Sequence, residues 1–130
     1  MPQDRPPGSH QDWLARARGD LALAIAPLPD GGFYEDLCFH AQQAAEKALK
    51  AVYVYNNLKF RYVHDLDELI SGLRANGIEP SQNVISAVEL TAYAFEARYP
   101  GFSEPVTENE YRTAIRQAEA VVNWAESIIS

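Results

Sequence analysis

His40, Gln43 and Lys47 are the polar side chains with which this sequence could hold a ligand. They recur at steps of three and four, so on a helix they share one face over about two turns. An imidazole, an amide and an ammonium in one row could hold a phosphate or a base edge. A structural role would use the same row differently. His40 would close a buried hydrogen-bond network, while Gln43 and Lys47 would reach solvent or bridge subunits. Two further places stand out. His64-Asp65 precedes a helical pattern. There Asp65 can cap exposed backbone N–H groups, and His64 can act as an acid, a base or a phosphate donor. Arg98 ends another helical pattern beside Tyr99 and before Pro100-Gly101, and its planar fork suits phosphate or carboxylate. A salt bridge to Glu96 or Glu104, or placement at a helix C-terminus, would use Arg98 equally well.

Other chemistries find no support. Glu35, Asp36, Asp65, Asp67 and Glu68 form no fixed-spacing pair of the metal or hydrolase kind and read as a solvated face or helix N-terminal charge. Gly31-Gly32 lacks the Lys-Ser/Thr of a phosphate-binding loop. Cys38 is the single cysteine, so no internal disulfide can form, and it reads as a small buried residue. With no Cys/His pair at ligand spacing, no metal site is expected, and no cofactor is implied. The formal net charge of -7 argues against broad, charge-driven nucleic-acid binding, which needs clustered Lys and Arg. A local basic pocket remains compatible with it. No apolar run approaches the roughly 20 residues that span a bilayer, so no membrane partner is expected. The first residues lack the apolar core of a secretion signal, and the expected location is cytoplasmic.

The elements that would position these residues follow from periodicity. At 130 residues the chain is one domain. Residues 1–10, with three prolines and one glycine, are expected to be a disordered tail, and 11–130 a helical domain. Helix one should run from near Gln11 to about Ala26, with Trp13 or Leu14, Ala17, Leu21 and Ala24 or Ile25 inward; Pro27 and Pro29 end it. Helix two should run from about Phe33 to Tyr55, where Asn56-Asn57 stops it. Its stripe of Phe33, Leu37, Ala41, Ala44, Ala48 and Val52 is largely alanine, which lets a neighbouring helix approach closely. Helix three is short, Leu66 to Asn76, and Gly77 fits a left-handed cap. Pro80 opens helix four, whose stripe is Val84, Ile85, Val88, Thr91, Ala92, Phe95 and Tyr99. Thr107-x-x-Glu110 reads as a capping box for helix five, which carries a broad apolar face and Trp124 near its end. The fold predicted is all-α, an up-and-down bundle of four long helices and one short one.

The string Cys38-Phe39-His40-Ala41-Gln42-Gln43-Ala44-Ala45-Glu46-Lys47-Ala48-Leu49-Lys50-Ala51 closely resembles the signature of the HEPN domain family. Trp13-Leu14-x-x-Ala17-x-x-Asp20-Leu21 is similar to that family's opening helix, and Phe33-Tyr34 to the entry of its second. His64-Asp65-Leu66 and Ala97-Arg98-Tyr99-Pro100 resemble two further family elements, in family order. The resemblance implies a bundle of four to five helices, usually a homodimer. Many HEPN proteins are metal-independent ribonucleases with an Arg-x(4–6)-His motif. Here the positions after Arg98 at which that histidine would fall hold Ser103, Glu104 and Pro105, and the formal match from Arg5 to His10 lies in the expected tail. The resemblance is closer to the branch accompanying a minimal nucleotidyltransferase, for which nucleotide binding is the usual suggestion. It offers Arg98 as the surviving half of a site. Three readings stay open. The chain could be a module binding a nucleotide or other phosphorylated ligand beside a nucleotidyltransferase, in a toxin–antitoxin-like pair. It could be a divergent ribonuclease using His64 or His40 with Arg98 on an RNA ligand. It could also be a purely structural dimerisation module.

Overall fold

The computed structural model describes residues 5–94 and 105–129. Within them the architecture is all-α, in the order α1 (His10–Ala24), α2 (Tyr34–Tyr55), α3 (Leu66–Ala75), a single turn α4 (Gln82–Ile85), a 3₁₀ segment (Ser86–Ala94) and α5 (Glu108–Ile129). Helix α2 is the central element and packs against α1, α3, the 3₁₀ segment and α5. The reason is its composition. Ala41, Ala44, Ala45, Ala48 and Ala51 are all fully buried, so neighbours can close on α2 from several sides at once. Cys38 is buried on the same helix, as predicted.

Local signals set the ends. Ser9 Oγ accepts from Asp12 N–H at 3.1 Å and starts α1 at His10, one residue ahead of the predicted start. His10 then packs edge-on against Tyr55, with ring centroids 5.2 Å apart. Helix α2 stops where Asn57 turns left-handed at φ 57°, with Leu58 N–H reaching back to Tyr53 C=O at 2.9 Å. Gly77, at φ 81°, ends α3 in the same way, and Ile78 N–H bonds Leu73 C=O at 3.0 Å. The predicted capping box of α5 is present: Thr107 N–H donates to Glu110 Oε1 at 2.9 Å, and Glu110 N–H donates to Thr107 Oγ1 at 3.1 Å. The inward row of α3, Leu66, Leu69, Ile70 and Leu73, is buried as predicted.

Three expectations need correcting. Helix four is not a regular α-helix over the described residues. After one turn it tightens to 3₁₀, and the buried row becomes Val84, Ala87 and Leu90, with Tyr93 half-buried. That is a period of three, the repeat of a 3₁₀ helix, in place of the predicted row through Ile85 and Val88. The shift also brings Thr91 Oγ1 within 3.1 Å of Leu66 N–H, so the segment satisfies a backbone donor at the start of α3. Phe33, predicted to lead the α2 stripe, is the N-cap and is exposed. Helix α1 ends at Ala24, which leaves Ile25 exposed, and its buried row contains Asp20 in place of Leu21.

Candidate functional site on the first two helices

Asp20 is the organising residue. It lies on the core-facing row of α1, between Ala17 and Ala24, and is 9 % exposed. A carboxylate in that position needs charged or donating partners, because desolvation without them is costly. Both partners come from α2. Asp20 Oδ1 lies 3.1 Å from His40 Nδ1, and Oδ2 accepts from Lys47 Nζ at 2.6 Å. Two residues that α2 presents two turns apart are thus drawn to one carboxylate of the neighbouring helix. An acceptor facing Nδ1 selects the tautomer with its proton there, which leaves Nε2 directed elsewhere. The ammonium spends one of its three donors on Asp20. His40 and Lys47 remain partly exposed, with side chains 34 % and 26 % accessible, so both can still meet a ligand. Gln43 stands between them in sequence, and its Oε1 is buried without a hydrogen-bond partner among the described residues.

His64 joins a different carboxylate. Glu46 is 4 % exposed and receives Lys50 Nζ at 2.8 Å, His64 Nδ1 at 2.9 Å and Gln42 Nε2 at 3.1 Å. Burial alone would raise the Glu46 carboxyl, but these three partners outweigh it and hold it below the usual carboxylate range. Gln42 Nε2 also donates to His64 C=O at 3.1 Å, so the loop before α3 is tied to α2 through both side chain and backbone. Lys50 Nζ is boxed by rings as well, 5.6 Å from the centroid of Trp13, 5.2 Å from Phe60 and 6.0 Å from Tyr62. This second cluster is largely closed, and it fastens the loop between α2 and α3.

The predicted site residues therefore divide. His40 and Lys47 come together, Gln43 lies along the same helix, and His64 belongs to the Glu46 network. Arg98 and Tyr99 lie outside the described residues. Asp65 caps α3 through Asp67 N–H at 3.0 Å, the structural role considered for it. The residues that sequence reasoning missed are Asp20, Gln42, Glu46 and Lys50. A signal for them existed. Asp20 interrupts an otherwise apolar row, and Gln42, Glu46 and Lys50 repeat at steps of four along an alanine-rich helix whose apolar faces leave little room for solvated charge. Among the described residues no group of three or more His, Cys, Asp or Glu is placed to hold a metal ion. None of the described helices is long and apolar enough to cross a membrane.

A family model for the HEPN domain matches residues 10–128. The chain belongs to the HEPN domain family. The match begins at the first residue of α1 and ends within the last turn of α5, so it takes in the whole described bundle. The crystal structure of an archaeal HEPN homologue superposes with a TM-score of 0.74 at 27 % sequence identity, over 94 % of this chain and 98 % of the homologue. No curated protein matches the sequence. Within this HEPN bundle, the Asp20–His40–Lys47 cluster draws on the two helices whose sequences carry the family resemblance most densely.

Proposed function

We propose that this HEPN chain is a dimerising binding module that takes a nucleotide or other phosphorylated ligand on the α1–α2 face. In the same proposal it acts beside a minimal nucleotidyltransferase, in a toxin–antitoxin-like pair in the cytoplasm. The observation that carries the ligand reading is the shared carboxylate: Asp20 holds His40 and Lys47 together while both side chains stay partly exposed. An ammonium with donors to spare and an oriented imidazole suit phosphate oxygens, because charge-assisted hydrogen bonds are the stronger kind. Gln43 adds an amide, and Arg98 and Tyr99 are the family-like pair that would complete the site. Calorimetric titration with ATP and GTP tests this. Heat and a thermal shift are expected for the parent, and both should be lost in His40→Ala and Lys47→Ala. A parent that gives neither with any nucleotide overturns the reading.

The Asp20–His40 pair also favours a second reading, a divergent ribonuclease. A carboxylate that orients an imidazole is the base-and-orienter arrangement of acid–base catalysis. His40 would take the proton of the attacking 2′-hydroxyl and hand it to the 5′-oxygen as the P–O5′ bond breaks, and Lys47 with Arg98 would meet the phosphate. Cleavage of labelled RNA by the parent but not by His40→Ala supports it. RNA left intact by the parent rejects it.

A further inference from the structure

A groove of about 520 Å³ lies between the start of α4 and the outer face of α5 and shares no residue with the two carboxylate clusters. Its size falls within the range of small-ligand sites, roughly 300–1,000 Å³. The spacing along α5 builds one wall. Arg116, Ala120 and Trp124 recur at steps of four, and Glu119 and Asn123 form a second row beside them. Ala120 is small, which leaves room between the guanidinium and the indole. Asn83 stands on the opposite wall. Two opposite charges here are uncommitted. Arg16, Arg18, Arg61, Arg74 and Arg112 all form ion pairs with carboxylates. Arg116 does not: its guanidinium donates only to Thr113 Oγ1 among the described residues, at 3.2 Å. Glu119, three residues further along, forms no ion pair or hydrogen bond through its side chain among the described residues. Cation before anion is the weaker order on a helix, and an exposed pair of this kind contributes little, so each charge stays available. Asn83 and Asn123 are exposed and make no side-chain hydrogen bond among the described residues. Trp124 rests partly on the core and presents the remainder of its indole to the groove.

We propose that this groove binds a free α-amino acid with an aromatic or large apolar side chain. Such a ligand is a zwitterion at neutral pH, with its carboxylate and ammonium on one carbon. Arg116 would take the carboxylate in its planar fork. Glu119 would accept from the ammonium, a charge-assisted hydrogen bond. The side chain would lie on the Trp124 indole. The Asn83 and Asn123 amides each offer a donor and an acceptor, so they can serve either charged group. A zwitterion answers both free charges at once. An anion alone would answer Arg116 but be repelled by Glu119, in a chain of net charge -7. A neutral sugar would use the indole and the amides but leave both charges unanswered. The site stands on different residues from the α1–α2 cluster, and the inference is independent of the function proposed there.

The test is calorimetric titration of the full chain with L-phenylalanine, its N-acetyl derivative, its carboxamide and L-alanine. Phenylalanine should bind. The N-acetyl form lacks the ammonium and the carboxamide lacks the carboxylate, so each should bind about tenfold more weakly. Alanine has no side chain to cover the indole and should also bind more weakly. The variants should remove these preferences one at a time. Arg116→Gln should bind phenylalanine about tenfold more weakly and no better than its carboxamide. Glu119→Gln should lose the preference for the free ammonium over the N-acetyl form and keep the preference for the carboxylate. Arg112→Gln removes a cation of the same helix outside the groove and should leave binding unchanged. All three positions are exposed, so folding is preserved, and a thermal melt of each variant checks it. No heat with phenylalanine, blocked forms or alanine binding as tightly as phenylalanine, or Arg116→Gln and Glu119→Gln keeping the parent's preferences would each overturn the proposal.

Discussion

Glu46→Gln is the most informative perturbation of the bundle. The amide keeps the shape of the side chain and removes its charge, which leaves Lys50, 4 % exposed, without a counter-charge. Breaking a buried ion pair from one side costs about 3–5 kcal/mol. The Trp13, Phe60 and Tyr62 rings around the ammonium return part of this, since such contacts contribute about 0.5–2 kcal/mol. A net loss of about 3 kcal/mol is expected, a large fraction of the roughly 5–15 kcal/mol by which a domain is stable. For a domain of this size it lowers the Tm by about 10 °C. Thermal and urea melts followed by circular dichroism at pH 7 measure it. The double variant Glu46→Gln/Lys50→Met, which removes the stranded charge, should regain at least half of the loss. The pH dependence has a definite sign. The folded Glu46 carboxyl titrates below its ordinary value of 4.5, so its contribution is present above that value and is lost as pH falls through the lower, folded one. Glu46→Gln should flatten the acid limb of the stability profile accordingly. A loss under about 1 kcal/mol, or a double variant no more stable than the single, would mean that Lys50 is not stranded without Glu46.

Gly72→Ala would place a Cβ 2.1 Å from Tyr53 Oη, so Tyr53 must leave its 2.7 Å hydrogen bond to Leu69 C=O. A loss of about 1–3 kcal/mol is expected. The same change should cost less in a Tyr53→Phe background, and a double-mutant cycle in urea measures that coupling. Burial pushes the Cys38 thiol up to about 12, against an ordinary 9.0. Cys38 should therefore resist maleimide at pH 8 until urea unfolds the chain. Because its folded value is raised, the matching stability is intact below pH 9.0 and declines above it, which alkaline melts of the parent and Cys38→Ala would compare. Thr107→Ala should cost about 1 kcal/mol by removing the hydroxyl that accepts from Glu110 N–H at the start of α5, read by the urea midpoint.

Much of the bundle was legible because periodicity and caps agree in the sequence. Helix α3 shows this best: Asp65 caps its start, Leu66, Leu69, Ile70 and Leu73 form one face, and Gly77 supplies the left-handed end. The fourth helix was misread because apolar residues fill both a three-residue and a four-residue repeat from Val84 to Tyr93, and periodicity alone does not choose between them. Tertiary contact does, through Thr91 against the start of α3. The row of His40, Gln43 and Lys47 was visible because it lies within one helix. Its partner Asp20 was not, since a contact between helices depends on how α1 is rotated against α2. Glu46 and Lys50 were hidden for a related reason: four-step charged pairs usually mark a solvated face, and only the crowding of α2 by four neighbours puts this one inside.

In the proposed site Asp20 presents His40 and Lys47 to a phosphorylated ligand. Long-range ¹H–¹⁵N spectra of the histidine side chains, recorded while a nucleotide is added, test it most directly. Free His40 should carry its proton on Nδ1. The His40 Nε2 resonance should move with added nucleotide in the parent and stay still in Lys47→Ala, with His64 little affected. A His40 protonated on Nε2, or one that does not respond while another histidine does, would contradict it.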